Sequence, residues 1–370
     1  MTARKVAHLT SVHIPSDTRI VYRECASLAD AGYEVVLIAT QGEVRLPRGV
    51  RMRAVRAPRN RAERMTRTVY DIYRAALAER ADVYHFHDPE LMIVGLLLRL
   101  HGARVVFDVH EDIPQDVADK GWIAPPLRPF VATACALALR ALQRWYTAIV
   151  TATPAIAQRF PHRRTVVVHN YPRVDELAEQ QEADFAKRAR AVIYLGEITE
   201  LRCIREMVAS LDRPCIADDV RLHLAGRFET PALEQRVRSM PAWRKVQFSG
   251  YCQRDRKAAA LSAVRAGLLL FRPAGNHDDA LPNKLFEYLG AGLPVIMSNT
   301  LRCSSVVREH ECGIVVDPSD PQQIAAAIST LVEDPARAQA MGERGRALVR
   351  ERFLWTSEAA KLTKLYAEIA

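Results

Sequence analysis

The sequence lacks paired cysteines and long uninterrupted apolar runs. Its seven cysteines are scattered over 370 residues and never form a C-x-x-C pair, a pattern typical of reduced thiols rather than of disulfides or a zinc site. The most apolar stretch, residues 130–150, contains Arg140, Gln143 and Arg144, so it does not supply the about 20 apolar residues of a membrane-crossing helix. The first residues carry no long apolar segment followed by a cleavage site, which predicts a cytoplasmic protein without a secretory signal.

Acidic residues are scarce in the first half of the chain. Residues 1–174 carry 25 Lys and Arg against 16 Asp and Glu, whereas residues 175–370 carry 27 of each. We expect either a solvated face or a contact with an anionic membrane or a polyphosphate; nucleic acid is disfavoured, because no aromatic residues interleave with the basic ones. The excess is concentrated in a run whose only acidic residue is Glu63. The run consists of Arg51, Arg53, Arg56, Arg59, Arg61, Arg64 and Arg67.

The first half alternates short apolar segments with longer amphipathic ones. This β-α alternation is typical of a parallel sheet that is covered by helices on both faces. Helical length and spacing are found over residues 19–31, 61–78, 89–100 and 128–146. The predicted strands are KVAHLT, EVVLIAT, VRMRAV, DVYHFH, RVVFDVH, AIVTAT and TVVVHN.

A polar stretch near residues 171–190 interrupts the pattern, which then resumes. We therefore predict an α/β protein of two Rossmann-like, doubly wound domains that face each other across a ligand-binding cleft. The boundaries are an N-terminal domain over 1–174, a linker over 175–189, a C-terminal domain over 190–350 and a closing helix over 351–370, which could pack back on the first domain. The second set of strands is AVIYLG, VRLHLAG, VQFSGY, AGLLLFRP, PVIMSN and CGIVVD, with helices at 202–211, 231–240, 255–264, 282–291, 321–332 and two more after Pro335.

The densest set of chemically useful residues follows the strand near Phe271. Pro282 suits the first turn of a helix, so the free amides near Leu281 and Asn283, together with Lys284, predict an anion site suited to a pyrophosphate. Glu287, one turn further along, is placed to accept hydrogen bonds from ribose hydroxyls. The preceding loop carries Asn276, His277, Asp278 and Asp279.

Two strand ends of the first domain carry histidines and carboxylates. They are His85, His87, Asp88 and Glu90 after one strand and His110, Glu111 and Asp112 after the other. Neither set has the spacing of a metal site along the chain, so we predict no metal. His85 is interpreted as a buried strand histidine with a hydrogen bond, and Asp88 and Glu90 could instead cap the following helix.

The run PNKLFEYLGAGLPVI resembles the signature helix of the family 4 retaining glycosyltransferases, nucleotide-sugar enzymes of the B-type glycosyltransferase fold. That family has a Glu-x7-Glu pair. Glu287 matches the second glutamate, and Asp279 stands at the first position. The resemblance implies that Asp279 and Glu287 act on the donor sugar, and that Asp278 or His277 could substitute for the shortened first residue.

Other segments match the same family in order. YLGEITELRC resembles the segment that grips the donor diphosphate, in which Gly196 and Arg202 match but Glu197 stands where the family usually has Arg; Arg19 could supply the missing charge. LHLAGRF, with Gly226, and VQFSGY resemble the strand-turn units of the base pocket. His110 resembles the active-site histidine. The resemblance implies a donor site of Arg19, Gly196, Arg202, Gly226, Leu281, Asn283, Lys284 and Glu287, and a sugar or acceptor site of His87, Glu111, Asn276, His277 and Asp278.

The resemblance implies transfer, with retention, from a nucleotide-diphosphate sugar to a glycan, glycolipid or other hydroxyl acceptor, without a metal or other cofactor. Cell-surface polysaccharide synthesis, with loose attachment to the inner face of the membrane through the run of residues 51–67, is the expected setting. Three alternatives stay open: an epimerase of the same fold, a transferase with a soluble acceptor, and a non-catalytic sugar-binding protein.

Overall fold

The chain folds into two compact units, each built on one parallel sheet. Unit 1 comprises Met1–Asn170 and Trp355–Ala370, and unit 2 comprises Tyr171–Leu354. Within the predicted linker, Phe185 lies in the hydrophobic core of unit 2. The computed structural model describes residues 4–114, 124–161, 163–178, 184–252, 254–273 and 281–369.

The sheet of unit 1 has seven parallel strands in the order β3-β2-β1-β4-β5-β6-β7. The order reverses at β1, which lies between β2 and β4, as in doubly wound folds. All seven predicted strands are confirmed. They are β1 (Lys5–Leu9), β2 (Glu34–Thr40), β3 (Val50–Val55), β4 (Val83–Phe86), β5 (Arg104–Val109), β6 (Ala148–Thr151) and β7 (Thr165–Val167).

The helices of unit 1 follow the four predicted amphipathic segments, although the first begins with a π-helix (Thr18–Cys25) and the second contains one (Arg64–Thr68). The tail of the chain adds a further helix that packs in this unit. The helical segments are Thr18–Cys25, Ala26–Asp30, Arg61–Glu63, Arg64–Thr68, Val69–Glu79, Pro89–Leu91, Met92–Leu100, Pro125–Leu127, Arg128–Leu142, Gln143–Trp145, Pro154–Ala157 and Trp355–Ile369.

Both faces of this sheet are buried, which explains the apolar strand sequences. Along β2, Val36 and Ile38 enter one hydrophobic core, whereas Val35 and Leu37 enter the other. Successive side chains of a strand point to opposite faces, so a strand covered on both sides must be apolar throughout. The second core includes the helix Trp355–Ile369.

The sheet of unit 2 has six strands in the order β10-β9-β8-β11-β12-β13, and all six predicted strands are confirmed. They are β8 (Ala191–Leu195), β9 (Arg221–Ala225), β10 (Val246–Phe248), β11 (Ala266–Leu269), β12 (Val295–Ser298) and β13 (Gly313–Val316). The sequence patterns missed the short helix Ser304–Glu309. The helical segments are Val174–Ala178, Phe185–Lys187, Ile204–Ser210, Pro231–Arg238, Pro241–Lys245, Arg254–Ser262, Asn283–Gly290, Ser304–Glu309, Pro321–Glu333 and Pro335–Arg352.

The arginine run of residues 51–67 is not the unopposed patch that its local sequence predicts. Packing brings carboxylates to it from elsewhere in unit 1, so the interpretation that only Glu63 opposes it is wrong. The ion pairs are Arg51–Glu79 at 2.5 Å, Arg53–Glu79 at 3.0 Å, Arg56–Glu63 at 3.2 Å, Arg64–Glu90 at 2.8 Å and Arg67–Asp71 at 3.7 Å. Among the described residues, no helix is both long enough and apolar enough to cross a membrane.

Candidate functional site

The carboxyl ends of β1, β4 and β5 carry a buried polar cluster in unit 1. His8 lies in β1, His87 directly follows β4, and Asp108 and His110 lie at and after the end of β5. Because these strands are parallel neighbours, their carboxyl ends lie side by side at the carboxyl-terminal end of the sheet, where ligands bind in open α/β sheets.

Asp108 is the centre of this cluster. Its carboxylate accepts hydrogen bonds from Arg19 Nε at 3.1 Å and Nη2 at 3.0 Å. One of its oxygens also lies 3.2 Å from His87 Nδ1 and 2.8 Å from His110 Nε2. Burial alone would raise the pKa of Asp108, but the charge of Arg19 and the bonds from His110 and His87 hold it well below its usual range. Asp108 is therefore an ionised anchor for His110.

The polar chain continues into the interior of unit 1. His87 Nε2 lies 3.0 Å from His8 Nδ1, and His85 Nδ1 lies 2.8 Å from Tyr366 Oη. Burial lowers the pKa of His8 and His85 well below the usual value and that of His87 to about 4. These histidines are neutral at pH 7, and the interpretation of His85 as a hydrogen-bonded core residue is confirmed.

His13 also lies at the carboxyl-terminal end of this sheet, although the sequence did not indicate a role for it. Its ring centroid lies 5.0 Å from that of His110, and its nitrogens lie 3.4 Å from Asp17 and 3.4 Å from Asp88. Burial alone would lower the pKa of His13, but Asp17 and Asp88 raise it. Asp108 and His8 were missed as well, because they lie inside strands whose apolar neighbours dominate the pattern.

Arg19 has a structural position rather than an open one. It is 3% exposed, and besides Asp108 its guanidinium contacts Glu24 at 2.9 Å and the Val168 carbonyl at 2.8 Å. The predicted donor contact of Arg19 does not fit this burial, because the guanidinium is used within unit 1. Arg19 acts here by holding Asp108.

The carboxylates after the two strands have separate partners. Asp88 accepts hydrogen bonds from the Thr10 hydroxyl at 2.8 Å and the Ser11 amide at 2.6 Å, and its side chain does not cap the following helix. Glu90 pairs with Arg64. The cap interpretation is therefore wrong for Asp88, which holds the loop after β1 instead. Glu111, which also follows β5, is exposed.

The fold also assembles groups that spacing along the chain could not reveal. His8, Glu24, His85 and His87 place one ligand atom each within 4.8 Å of one another, and so do His87, Asp108 and His110. The hydrogen bonds of His87 to Asp108 and His8 already use both of its ring nitrogens. Burial, with the charge of Asp108, raises the pKa of Glu24 well above its usual range. The group around Asp108 is thus satisfied as a hydrogen-bonded network, whereas His8 Nε2, His85 Nε2 and Glu24 Oε2 are buried without a hydrogen-bond partner among the described residues.

In unit 2, Lys284 lies at the start of the helix Asn283–Gly290. A Cβ placed on Gly196 would lie 2.5 Å from its Nζ, so the absence of a side chain at Gly196 leaves room for the lysine. The ammonium lies 5.5 Å from the centroid of the Tyr194 ring. Burial and the charge of Arg202 lower the pKa of Lys284 to about 8. The charges of Glu287 and Glu197 act in the opposite direction but do not outweigh these two effects.

The backbones of two neighbouring strand ends meet beside Lys284. A Cβ on Gly226 would overlap the carbonyl oxygen of Gly196, so both predicted glycines are needed for close approach. Arg202 lies over the Phe271 ring, 4.0 Å from its centroid. Glu197 is exposed and forms no ion pair with Arg202 or Lys284 in the described part of unit 2, although its charge acts to raise the pKa of Lys284.

The remaining predicted donor residues flank this position. Leu281 packs against the core of unit 2, Asn283 is exposed at the helix start, and Glu287 forms an ion pair with Lys257 at 2.5 Å. The predicted residues Asn276, His277, Asp278 and Asp279 lie outside the described residues, so their roles stay predictions.

We expect the Glu287→Ala protein to bind its nucleotide donor more weakly and to transfer sugar more slowly, by about 1–3 kcal/mol of lost charged hydrogen bonding. Donor titration and steady-state rates measure the effect. Lys257→Ala is the matched control, because it removes the same ion pair and leaves the carboxylate. If both variants lose activity equally, the ion pair rather than the carboxylate is the important feature.

Comparison with known proteins adds an independent line of evidence. The family described as "Glycosyl transferase 4-like domain" matches residues 18–171, and "Glycosyl transferases group 1" matches residues 175–348. The first match takes in His110 and every strand of unit 1 except β1, and the second takes in all six strands of unit 2 together with Lys284 and Glu287.

Similar proteins include two mycobacterial mannosyltransferases. An MMP alpha-(1->4)-mannosyltransferase of Mycolicibacterium hassiacum is 23% identical over 79% of this chain and 72% of its own length. A GDP-mannose-dependent alpha-(1-6)-phosphatidylinositol monomannoside mannosyltransferase of Mycobacterium tuberculosis is 35% identical, but over only 32% of this chain and 31% of its own length.

Solved structures resemble the fold along the whole chain. Sucrose-phosphate synthase of Thermosynechococcus elongatus has a TM-score of 0.74 at 19% identity over 99% of both chains. Anabaena HepE in complex with UDP and glucose has a TM-score of 0.73 at 13% identity, over 99% of this chain and 100% of that one. At these identities the likeness shows the fold alone. With both of its units matched, the chain belongs to the glycosyl transferases group 1 family and is a family 4 glycosyltransferase with two Rossmann-like domains.

Proposed function

We propose that this protein transfers a sugar, with retention of anomeric configuration, from a nucleotide-diphosphate sugar to a hydroxyl acceptor. The observation that carries the proposal is the partly buried Lys284 ammonium beside Gly196, close enough to Arg202 for that charge to lower the pKa of the lysine. Two cations at the carboxyl end of a parallel sheet suit a diphosphate. The structures of Anabaena HepE with UDP and with UDP-glucose give a precedent for such a donor in this fold.

In the proposed reaction, the bond between the anomeric carbon and the diphosphate oxygen breaks while the acceptor oxygen bonds to that carbon. The acceptor's proton passes to the leaving phosphate oxygen on the same face. Negative charge grows on the leaving group, so Lys284 and Arg202 stabilise the transition state more than the ground state. His110, held by Asp108, orients the transferred sugar, and no protein nucleophile is assigned.

The reaction is tested with a panel of uridine, guanosine, thymidine and adenosine diphosphate sugars and a range of hydroxyl acceptors. Nuclear magnetic resonance of the product gives the configuration of the new bond. A product with the donor's configuration supports the proposal. An inverted product contradicts retention, and free nucleotide with epimerised sugar in the absence of acceptor would show that the protein is an epimerase.

For the acceptor, we propose a glycan or lipid-linked glycan of the cell surface, with the enzyme in the cytoplasm and loosely attached to the membrane. The phosphatidylinositol mannosyltransferases among its relatives, by their names, act on lipids. Five of the seven arginines in the run of residues 51–67 form ion pairs with carboxylates, so we expect this run to contribute little to attachment.

We expect transfer to continue after treatment with a chelator. Lys284 and Arg202 already supply positive charge at the proposed diphosphate site, and the described residues of unit 2 include no group of metal ligands. Metal analysis of the purified protein and rates before and after chelation test this expectation. A rate that is lost and restored only by magnesium or manganese would contradict it.

A further inference from the structure

A second concentration of positive charge lies in unit 1, at the amino ends of the strands. A cavity of about 680 Å³ is lined there by Arg99, Arg104, Arg144, Arg163 and Arg164, and none of its ten lining residues is acidic. We propose that this cavity binds a phosphate-bearing polyanion, with two or more adjacent phosphate charges, at a place distinct from the transfer site.

The arginines come together from separate elements. Arg104 begins β5, Arg163 and Arg164 precede β7, and Arg99 and Arg144 lie at the ends of two helices of unit 1. His110 follows the other end of β5, whose six residues span roughly 20 Å at about 3.3 Å per residue. The cavity therefore lies at the amino-terminal end of the sheet, whereas the histidine cluster lies at its carboxyl-terminal end.

Within the described part of unit 1, four of these five side chains lack the counter-charges found in the run of residues 51–67. Among the described residues, no ion pair or side-chain hydrogen bond involves Arg99, Arg104, Arg144 or Arg163. The positive charges of Arg99 and Arg144 are stabilised by helix dipoles, because both residues lie near helix C-termini. It does not account for the arginines at the strand starts. Like charges around one cavity repel each other, and a multivalent anion removes that repulsion.

The size and rim of the cavity narrow the ligand class. Its volume is within the range of small-molecule sites, so a di- or triphosphate fits. Trp145, which lines the cavity, is 52% exposed, and neighbouring Leu100 is 67% exposed. Amphipathic Trp is favoured at membrane surfaces. The phosphate can therefore belong to a soluble polyanion or to the headgroup of an anionic lipid.

Calorimetry with inorganic triphosphate tests whether the protein binds a soluble polyanion in this cavity. Arg104→Glu/Arg144→Glu reverses two of the five positive charges that line the cavity. Arg45→Glu/Arg48→Glu is the matched control, because those arginines are exposed and precede β3, the edge strand on the side of the sheet away from β7. Lys284→Ala separates any binding at the donor site. We expect the cavity variant to weaken one class of binding at least tenfold, whereas the control and Lys284→Ala proteins keep it.

Vesicle sedimentation tests whether the cavity binds the headgroup of an anionic lipid. Phosphatidylcholine vesicles that contain phosphatidic acid are compared with vesicles of equal charge that contain phosphatidylserine. Preference for phosphatidic acid that is lost in the cavity variant and reduced by Trp145→Ala assigns the lipid headgroup; loss of triphosphate binding alone assigns a soluble ligand. Melting temperatures check folding, and Arg104→Gln/Arg144→Gln is the milder variant. The proposal is overturned if cavity and control variants bind both probes alike.

Discussion

The Asp108→Asn protein is expected to be both less stable and less active than the wild type. Asp108→Asn removes the carboxylate that pairs with the buried Arg19 guanidinium, which is 3% exposed, and breaking a buried ion pair typically lowers the free energy of unfolding by about 3–5 kcal/mol. His110 also loses the carboxylate 2.8 Å from its Nε2, so we expect transfer to fall by about 100-fold through misorientation. Denaturant unfolding and steady-state kinetics measure the two effects.

Glu24→Gln is the matched control for this prediction. Glu24 lies 2.9 Å from the same guanidinium, but burial and the charge of Asp108 raise its pKa well above the usual range, which favours its neutral form. We expect this variant to lose little stability. If Glu24→Gln is as damaging as Asp108→Asn, the assignment of the negative charge to Asp108 is wrong.

The same assignment fixes how stability depends on pH. The pKa of Asp108 is lower in the folded protein than in the unfolded chain. Its contribution to stability is therefore complete above the unfolded value, about pH 4, and is lost as the pH falls towards the folded value. Asp108→Asn removes that part of the acid sensitivity.

The Lys284→Ala protein is expected to transfer sugar about 100- to 1,000-fold more slowly. This is the effect of removing one group that stabilises a developing anion in a preorganised site. The pKa of Lys284 is lowered to about 8, so the side chain is positively charged below that pH. We therefore expect the wild-type affinity for a nucleoside diphosphate to decrease as the pH rises through about 8.

Lys284→Arg distinguishes charge from shape. Arginine stays protonated in this range, so any binding that this variant retains should not weaken between pH 7 and 9. Calorimetric titration of the nucleoside diphosphate across that interval is the measurement. A wild-type affinity that is constant across the interval, or a Lys284→Ala protein with full activity, would remove Lys284 from the donor site.

The element pattern could be predicted from sequence because it depends on local periodicity. The strand Glu34–Thr40 has five consecutive apolar residues between its polar ends, since both faces of the sheet are covered, and helices such as Pro321–Glu333 repeat apolar residues at helical spacing. The short helix Ser304–Glu309 was missed because six residues are too few for a periodic signal. Glycines at a strand end, such as Gly196 and Gly226, also have a local signature, because close backbone approach excludes a side chain.

The sequence by itself determined the parallel α/β architecture, the strand segments and the resemblance of residues 282–296 to a donor-binding helix. Tertiary structure alone decided which charges are neutralised and which side chains converge. Glu79 lies 28 residues beyond Arg51 yet pairs with it, and Asp108 lies 89 residues beyond Arg19, whereas Arg99, Arg104, Arg144 and Arg163 of the cavity have no such partners among the described residues. Hydrophobic periodicity is a property of neighbouring residues, but electrostatic pairing depends on distances in space, which only strand order and helix packing set.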